Sequence, residues 1–333
     1  MDKLRILLAI VIILGSFATA ALFTDYYRFS KLPLTAIAEN TSLTITQGES
    51  ISSLANTFYQ RGWIRHPFYL KVFARQHQLT AIKAGHYELS PQMTVAQILN
   101  RFVDADVKMQ QATIIEGWSF RQMRALIASL DDVEQTLVAA TDAEIMALLG
   151  AEGLHPEGQF LPDTYRYAPG SEDIALYRAA YQAMQQTLAD AWQQRQQQLP
   201  IKTPYEALTL ASIVEKETGA AHERALIAGV FISRLRKNMK LQTDPTVIYG
   251  MGERFKGNIK RKHLREDTPY NTYVHKGLTP TPISLPGQAA ITAALNPDEQ
   301  GYLYFVAKGD GTHYFSKTLK EHNQAVRKYQ LKK

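Results

Sequence analysis

The feature that most constrains this chain is an uninterrupted apolar run near its beginning. From Ile6 to Phe23, 18 residues pass without a charge. As a helix they extend about 27 Å at about 1.5 Å per residue, enough to cross the hydrocarbon core of a bilayer. Lys3 and Arg5 precede the run, and no further basic residue occurs before Arg28. Because the basic flank of a membrane helix stays in the cytoplasm, the sequence predicts a single-pass anchor with residues 1–5 inside and the bulk of the chain outside.

A cleaved signal peptide is the competing interpretation of the same run. Ala18-Thr19-Ala20 has the small-x-small form of a cleavage site. The apolar stretch continues past this site to Phe23, which favours an uncleaved anchor over 6–23 and a mature chain that begins at residue 1 or 2. Both interpretations place most of the chain outside the cytoplasm.

The composition excludes several kinds of chemistry. The chain has no cysteine, which removes disulfides, cysteine-bound zinc, iron–sulfur clusters and thiol nucleophiles. Its nine histidines are scattered without metal-ligand spacing, so we predict neither a metal nor a cofactor. The net charge of +6 is too diffuse to indicate a nucleic-acid partner. Six basic residues cluster over 254–265, where a solvated loop is favoured over contact with an anionic polymer.

Two folded parts are expected beyond the anchor, since 333 residues exceed the usual size of one domain. After a linker over 24–40, residues 41–103 show strand, helix, helix and strand patterns, with Ser50 as the cap of the first helix, and a last helix that Thr94 opens. This order predicts a small α+β module. Residues 104–333 contain several helices with capping motifs, among them Ser119-x-x-Gln122 and Thr141-x-x-Glu144. The pattern over 302–315 predicts a β-hairpin. The predicted fold class is therefore α+β, with 104–333 as the main domain.

The most informative local pattern is a well-capped helix over 204–217 whose apolar stripe ends in Glu215 and Glu217. The helix dipole disfavours an ionised carboxyl at this end, and burial does so as well. Both effects raise the pKa of such a carboxyl, which suits a general acid that works near neutral pH. A surface turn with salt bridges to Arg224 or Arg234 is the alternative that the spacing leaves open.

Three segments downstream of this helix are typical of a carbohydrate-binding cleft. Residues 241–250 and 269–273 combine polar side chains with turn formers and tyrosines, and 277–287 is rich in proline. Rigid loops that carry such side chains offer fixed hydrogen-bond partners to sugar hydroxyls and flat faces to sugar rings. We therefore expect these loops to surround a sugar-binding site.

Together these motifs resemble the YceG-like family of endolytic murein transglycosylases of the bacterial inner membrane, over nearly the whole chain. The motifs that carry the resemblance are, in order, Lys83-Ala84-Gly85-x-Tyr87 and Pro91-Gln92-Met93-Thr94-Val95 within a LysM-like segment at 41–103, Ile115-Glu116-Gly117, and the stretches 157–165, 211–218, 241–249, 270–273 and 302–315. The chain departs from the family at the proline-rich loop. There Thr279 and Thr281 replace a proline and a glycine, and Leu285 precedes Pro286. The resemblance therefore does not predict which contacts this loop makes with sugar.

The resemblance implies cleavage within peptidoglycan strands between N-acetylmuramic acid and N-acetylglucosamine, which leaves 1,6-anhydro ends and trims or terminates nascent strands. In such a reaction the sugar's own C6 hydroxyl is the nucleophile. One carboxyl can therefore protonate the leaving O4 and then accept the C6 proton, where an ordinary glycosidase needs two carboxylates. The resemblance assigns this acid/base role to Glu217, with Glu215 as a secondary candidate. We further predict that Gln242, Asp244, Tyr249, Asn271 and Tyr273 bind the hydroxyl and acetamido groups of the sugars.

The partners implied are peptidoglycan strands, the inner membrane and peptidoglycan synthases of the penicillin-binding class. Two alternatives remain. A membrane-tethered peptidoglycan-binding or scaffolding protein would use 41–103 as its functional part, with the glutamates merely structural. A hydrolytic muramidase would release products with reducing ends instead of anhydro ends.

Overall fold

The computed structural model describes residues 2–39, 41–46, 48–104, 109–217 and 219–331, with side chains from residue 5 onward. Thr218, the last residue of the 211–218 motif, lies outside the described residues. The chain divides into two compact units. The N-terminal unit comprises Met1–Gln110 and Arg166–Ser171, and the C-terminal unit comprises Gln111–Tyr165 and Glu172–Lys333.

The chain begins with helix α1, Asp2–Lys31. Among the described residues it is the one helix long and apolar enough to cross a membrane, which confirms the predicted apolar helix. The helix does not end at Phe23 but continues through part of the segment predicted as a linker. Residues 24–31 contain no glycine or proline to stop it, and Pro33 follows two residues after its end.

The rest of the N-terminal unit is a small α+β module in the predicted order. Its elements are β1 (Thr41–Ile45), α2 (Ile51–Gln60), α3 (Pro67–Gln76), β2 (Gly85–Leu89) and α4 (Val95–Val103). The two strands pair antiparallel, with Leu43 opposite Tyr87. The side chains of Ser50 and Thr94 cap α2 and α4, as the sequence predicts. The likeness of this module to LysM stays a prediction.

The C-terminal unit is mainly helical, with two short sheets. Its elements are β3 (Gln110–Thr113), α5 (Phe120–Ala128), α6 (Asp142–Leu148), β4 (Thr164–Tyr167), α7 (Asp173–Gln193), α8 (Pro204–Glu217), α9 (Arg224–Arg236), α10 (Asp244–Met251), α11 (Gln288–Leu295), β5 (Tyr304–Ala307), β6 (His313–Ser316) and α12 (Leu319–Tyr329). The first residue of β3 and the last two residues of β4 belong to the N-terminal unit. Strands β3 and β4 pair. Strands β5 and β6 form the predicted hairpin, with Phe305 opposite Phe315. The mixed α+β class is therefore confirmed.

Helix α8 forms the centre of the C-terminal unit. Every residue from Ala207 to Val214 is buried, so the helix is enclosed on all sides and not along one stripe only. Its two polar members bond to the backbone of the same helix, with the Thr209 hydroxyl donating to Tyr205 O and the Ser212 hydroxyl to Thr209 O. An apolar helix of this kind is stable only inside a core. Its last turn is consequently held in one position.

The proline-rich loop 277–287 packs against the middle of α8. The backbone N–H of Ile283 donates to the Ser212 hydroxyl at 2.9 Å, and Pro282 lies against Gly158. A Cβ added at Gly158, whose φ is +82°, would lie 2.5 Å from the Pro282 side chain, so this contact requires glycine. The sequence predicts a loop that surrounds sugar, whereas most of this loop is buried.

A second difference concerns 241–250, which the sequence predicts as a loop. Residues Asp244–Met251 form α10, with Pro245 in the first turn, where a missing N–H costs no helical hydrogen bond. Val247 and Met251 are buried. Packing of these side chains outweighs the turn propensity of the polar residues at its start.

Candidate active site

The last turn of α8 directs three consecutive side chains to three different surroundings. Glu215 is buried, with 5% of its side chain exposed, and its Oε2 accepts the N–H of Gly287 at 2.9 Å. Lys216 donates from Nζ to the backbone oxygen of Gly117 at 3.0 Å. Glu217 alone of the three faces an open cavity. Successive helix residues differ by about 100°, which explains the divergence.

The Glu217 cavity has a volume of about 480 Å³ and brings together four of the predicted site residues, namely Glu217, Gln242, Asp244 and Tyr273. Most of the rest of its wall comes from α9, the β5–β6 hairpin and α12 with the residue that follows it, and includes Arg234, Tyr304, Phe305, His313, Leu319, His322, Val326 and Gln330. None of the described residues on this wall belongs to the proline-rich loop. Within the described ranges, no group of three or more His, Cys, Asp or Glu side chains is arranged to hold a metal ion.

The Glu217 carboxyl has a raised pKa. Burial is the main cause, and the negative charge of Asp244 acts in the same direction. The Thr243 hydroxyl, which donates to Oε1, opposes this rise, as do the nearby His313 and Arg234. The net result is a carboxyl that keeps its proton to higher pH than an exposed glutamate, as a general acid requires.

Asp244 and Tyr273 form a polar pair beside this carboxyl. The Tyr273 hydroxyl donates to Asp244 Oδ1 at 2.6 Å, and burial raises the pKa of the phenol, so it remains a donor. Gln242 is exposed and has a φ of +51°, a conformation that costs free energy in residues with a Cβ. The pair and the exposed amide are the groups of the cavity best suited to bind sugar hydroxyls.

Two predicted substrate-binding residues lie away from the cavity. Tyr249 donates its hydroxyl to Glu157 Oε2 at 3.2 Å. Asn271 is fully buried; its Nδ2 donates to Glu266 O at 2.7 Å and its Oδ1 accepts the Tyr273 N–H at 2.9 Å. Asn271 therefore shapes the loop that carries Tyr273.

The cavity also contains groups that the sequence pattern does not single out. The guanidinium of Arg234 is buried and donates to Leu303 O and Leu241 O, both at 2.7 Å. His313 is held by Glu223, a residue 90 positions away along the chain. The predicted hairpin places His313 on a strand, but its partner becomes visible only in the tertiary structure.

Glu157, from the 157–165 motif, is another buried carboxyl whose pKa is raised. It is 4% exposed, and Oε1 accepts the Phe120 N–H at 2.9 Å. Burial raises the pKa of Glu157 from 4.5 to about 7. Because the pKa is higher in the folded than in the unfolded chain, the stability linked to the proton is fully present below about pH 4.5 and is lost as the pH rises through 7.

This linkage predicts a pH-dependent difference between the wild type and Glu157→Gln, whose amide does not titrate. Relative to the variant, the wild type should lose about 3 kcal/mol of unfolding free energy between pH 4.5 and 8.5, at about 1.36 kcal/mol per pKa unit. Urea unfolding of both proteins over this pH range measures the difference. A constant difference across the range would show that Glu157 titrates normally.

The Glu217 cavity presents a half-buried carboxyl of raised pKa among polar and aromatic side chains, an arrangement suited to general acid catalysis on a polar substrate. The chain belongs to the YceG-like family, whose sequence model matches residues 43–328. The resemblance that the motifs indicate is thereby confirmed.

Individual relatives agree with this assignment. The chain is 32% identical over 307 residues to the endolytic murein transglycosylase of Bacillus subtilis (strain 168), covering 86% of this chain and 84% of that protein. It is 26% identical over 337 aligned residues to the endolytic murein transglycosylase of Streptococcus pneumoniae serotype 2 (strain D39), covering 91% of this chain but 61% of that protein. The crystal structure of a YceG-like protein from Listeria monocytogenes matches with a TM-score of 0.55 at 32% identity, over 86% of this chain and 99% of that one.

Proposed function

We propose that this protein is an endolytic lytic transglycosylase, which cuts peptidoglycan strands between N-acetylmuramic acid and N-acetylglucosamine and leaves 1,6-anhydro ends. The observation that carries the proposal is the Glu217 carboxyl, with its raised pKa, on the wall of a polar cavity. The names of the relatives support the same activity. On nascent strands such cleavage would set glycan length, beside synthases of the penicillin-binding class.

In the proposed reaction Glu217 protonates O4 as the bond between C1 and O4 breaks. Positive charge then develops at C1, and the oxygen of the C6 hydroxyl bonds to that carbon. The carboxylate left on Glu217 is stabilised by the Thr243 hydroxyl and is available to accept a proton. Gln242, Asp244 and Tyr273 bind the hydroxyl and acetamido groups of the sugars.

The decisive experiment is mass spectrometry of the fragments that the detergent-solubilised protein releases from purified sacculi. Fragments with 1,6-anhydro ends are expected. Fragments with reducing ends would identify a hydrolytic muramidase, and binding without release would identify a scaffolding protein.

We propose that α1 is an uncleaved anchor in the inner membrane, with its N-terminus in the cytoplasm and the bulk of the chain in the periplasm. The length and apolar character of Arg5–Lys31 support this topology, as do the basic residues before the run. A reporter fused after Lys31 should be active only if it works outside the cytoplasm. Activity of a cytoplasmic reporter at the same position, or a mature chain that begins at Ala21, would contradict the proposal.

We propose further that residues 41–103 form a LysM-like glycan-binding module and residues 104–333 the catalytic domain. All the residues of the Glu217 cavity lie in the second of these segments. Deletion of 41–103 should therefore lower the affinity for sacculi more than the turnover of short glycans. The matched control is Glu217→Gln in the full chain, which should lose turnover and keep affinity. Equal binding to sacculi with and without residues 41–103 would show that this segment is only a spacer.

A further inference from the structure

A histidine of the cavity is fixed by a buried carboxylate. Glu223 ends a short 3₁₀ turn, Ala221–Glu223, just after α8, and 5% of its side chain is exposed. Its Oε2 lies 2.7 Å from Nδ1 of His313, and its Oε1 accepts the backbone N–H of His313 at 2.9 Å. A carboxylate only accepts hydrogen bonds, so the ring proton of a neutral His313 resides on Nδ1. Glu223 thereby sets both the position and the tautomer of this side chain.

The other ring nitrogen, Nε2, then carries a lone pair. His313 lines the Glu217 cavity, and Nε2 has no hydrogen-bond partner among the described residues. The rings of Phe305 and Phe315 lie 5.4 and 6.5 Å from the imidazole, centroid to centroid, and limit its movement. The arrangement is that of an oriented proton acceptor in the same cavity as the proposed acid.

The proposed reaction needs a proton acceptor other than Glu217 if its bond changes are concerted. A protonated Glu217 can donate to O4, but it accepts a proton only after it has donated. If the C6 hydroxyl attacks while O4 departs, its proton needs a different acceptor at that moment.

We propose that His313 is a second catalytic residue of this cavity, whose Nε2 takes the proton of the C6 hydroxyl while Glu217 gives its proton to O4. This inference rests on the proposed transglycosylase function. The bond between C1 and O4 breaks with its electron pair on O4, which receives the Glu217 proton, and a bond forms between O6 and C1. The imidazolium, stabilised by the Glu223 carboxylate, then returns its proton through water to Glu217. Glu223 is a positioning residue.

The test compares release of anhydro fragments by the full-length wild type, His313→Gln and Glu223→Gln. The glutamine at 313 preserves a hydrogen-bonding side chain but takes up no proton. Turnover at saturating substrate should fall on the order of 10²- to 10⁴-fold, with affinity for sacculi unchanged, and Glu223→Gln should lose less. His275→Gln is the matched control, because His275 pairs with Asp267 at the same 2.7 Å outside the cavity. It should turn over like the wild type.

The pH dependence separates a catalytic from a merely structural role. The charged and histidine groups that share the cavity wall with His313 are Glu217, Arg234, Asp244 and His322. Glu223 bonds to Nδ1 of His313, and His222 lies 3.9 Å from Glu223. Protonation of Nε2 removes its lone pair, so wild-type turnover should fall on the acid side, and this fall should be absent in His313→Gln. Turnover of His313→Gln within threefold of the wild type, with the same pH profile, would overturn the inference.

If His313→Gln fails to fold, the nitrogen-15 spectrum of the wild-type imidazole decides, since a neutral ring with its proton on Nε2 would overturn the inference and a proton on Nδ1 would support it. If the wild type releases anhydro fragments and His313→Gln releases them at the same rate, the catalytic role of His313 alone is refuted. If the wild type releases no such fragments, the proposed function and the catalytic role of His313 are both refuted.

Discussion

Glu217→Gln is expected to abolish strand cleavage while the protein stays folded and still binds glycan. The amide keeps the shape of the side chain and still accepts the hydrogen bond of Thr243, but it can neither give a proton to O4 nor take one back. Each lost proton-transfer role costs on the order of 10²- to 10⁴-fold in turnover. Stability should hardly change, because burial and the helix dipole already disfavour a charge at this position.

The measurement is turnover on purified peptidoglycan, with thermal melting to verify the fold and sacculus binding to verify the site. Full activity of Glu217→Gln alongside an inactive Glu215→Gln would mean that the acid is the other carboxylate. Full activity of both variants would show that the catalytic acid does not lie on α8.

Glu215→Ala is expected to cost the protein stability, by about 3 kcal/mol. The change leaves the Gly287 N–H without its acceptor and takes away one of the two carboxylates that lie 3.6 Å from the largely buried Arg224. Glu215→Gln still offers an oxygen to Gly287, so it should lose less stability and keep turnover within about tenfold of the wild type, since one general acid–base role is worth at least 10²-fold.

Glu116 supplies a matched control for this effect. Its carboxylate lies at the same 3.6 Å from Arg224, but 47% of its side chain is exposed. Glu116→Ala should therefore cost less than about 1 kcal/mol, as exposed ion pairs do. Urea unfolding compares the two variants, and equal midpoints would show that Glu215 is not a structural support.

Helix starts could be predicted well because capping is local. The side chains of Ser50, Thr94, Ser119 and Thr141 each accept a hydrogen bond from the backbone three residues onward, as predicted. Helix α10 was missed because Thr243, Asp244 and Pro245 favour a turn when considered alone. Buried contacts made elsewhere in the fold, and not its own propensity, keep it helical.

The sequence by itself determined the apolar helix at the start, the family, the α+β class and the pair of glutamates at the end of a buried helix. Only the tertiary structure decided which of the two glutamates faces a cavity. Glu215 and Glu217 differ by about 200° around the helix, and their surroundings come from Gly287 and Thr243, which are 72 and 26 residues away. The pairing of Glu223 with His313, across 90 residues, was decided in the same way. Periodicity reports the face of a helix, whereas the groups that meet this face depend on contacts distant in sequence, which a local pattern does not encode.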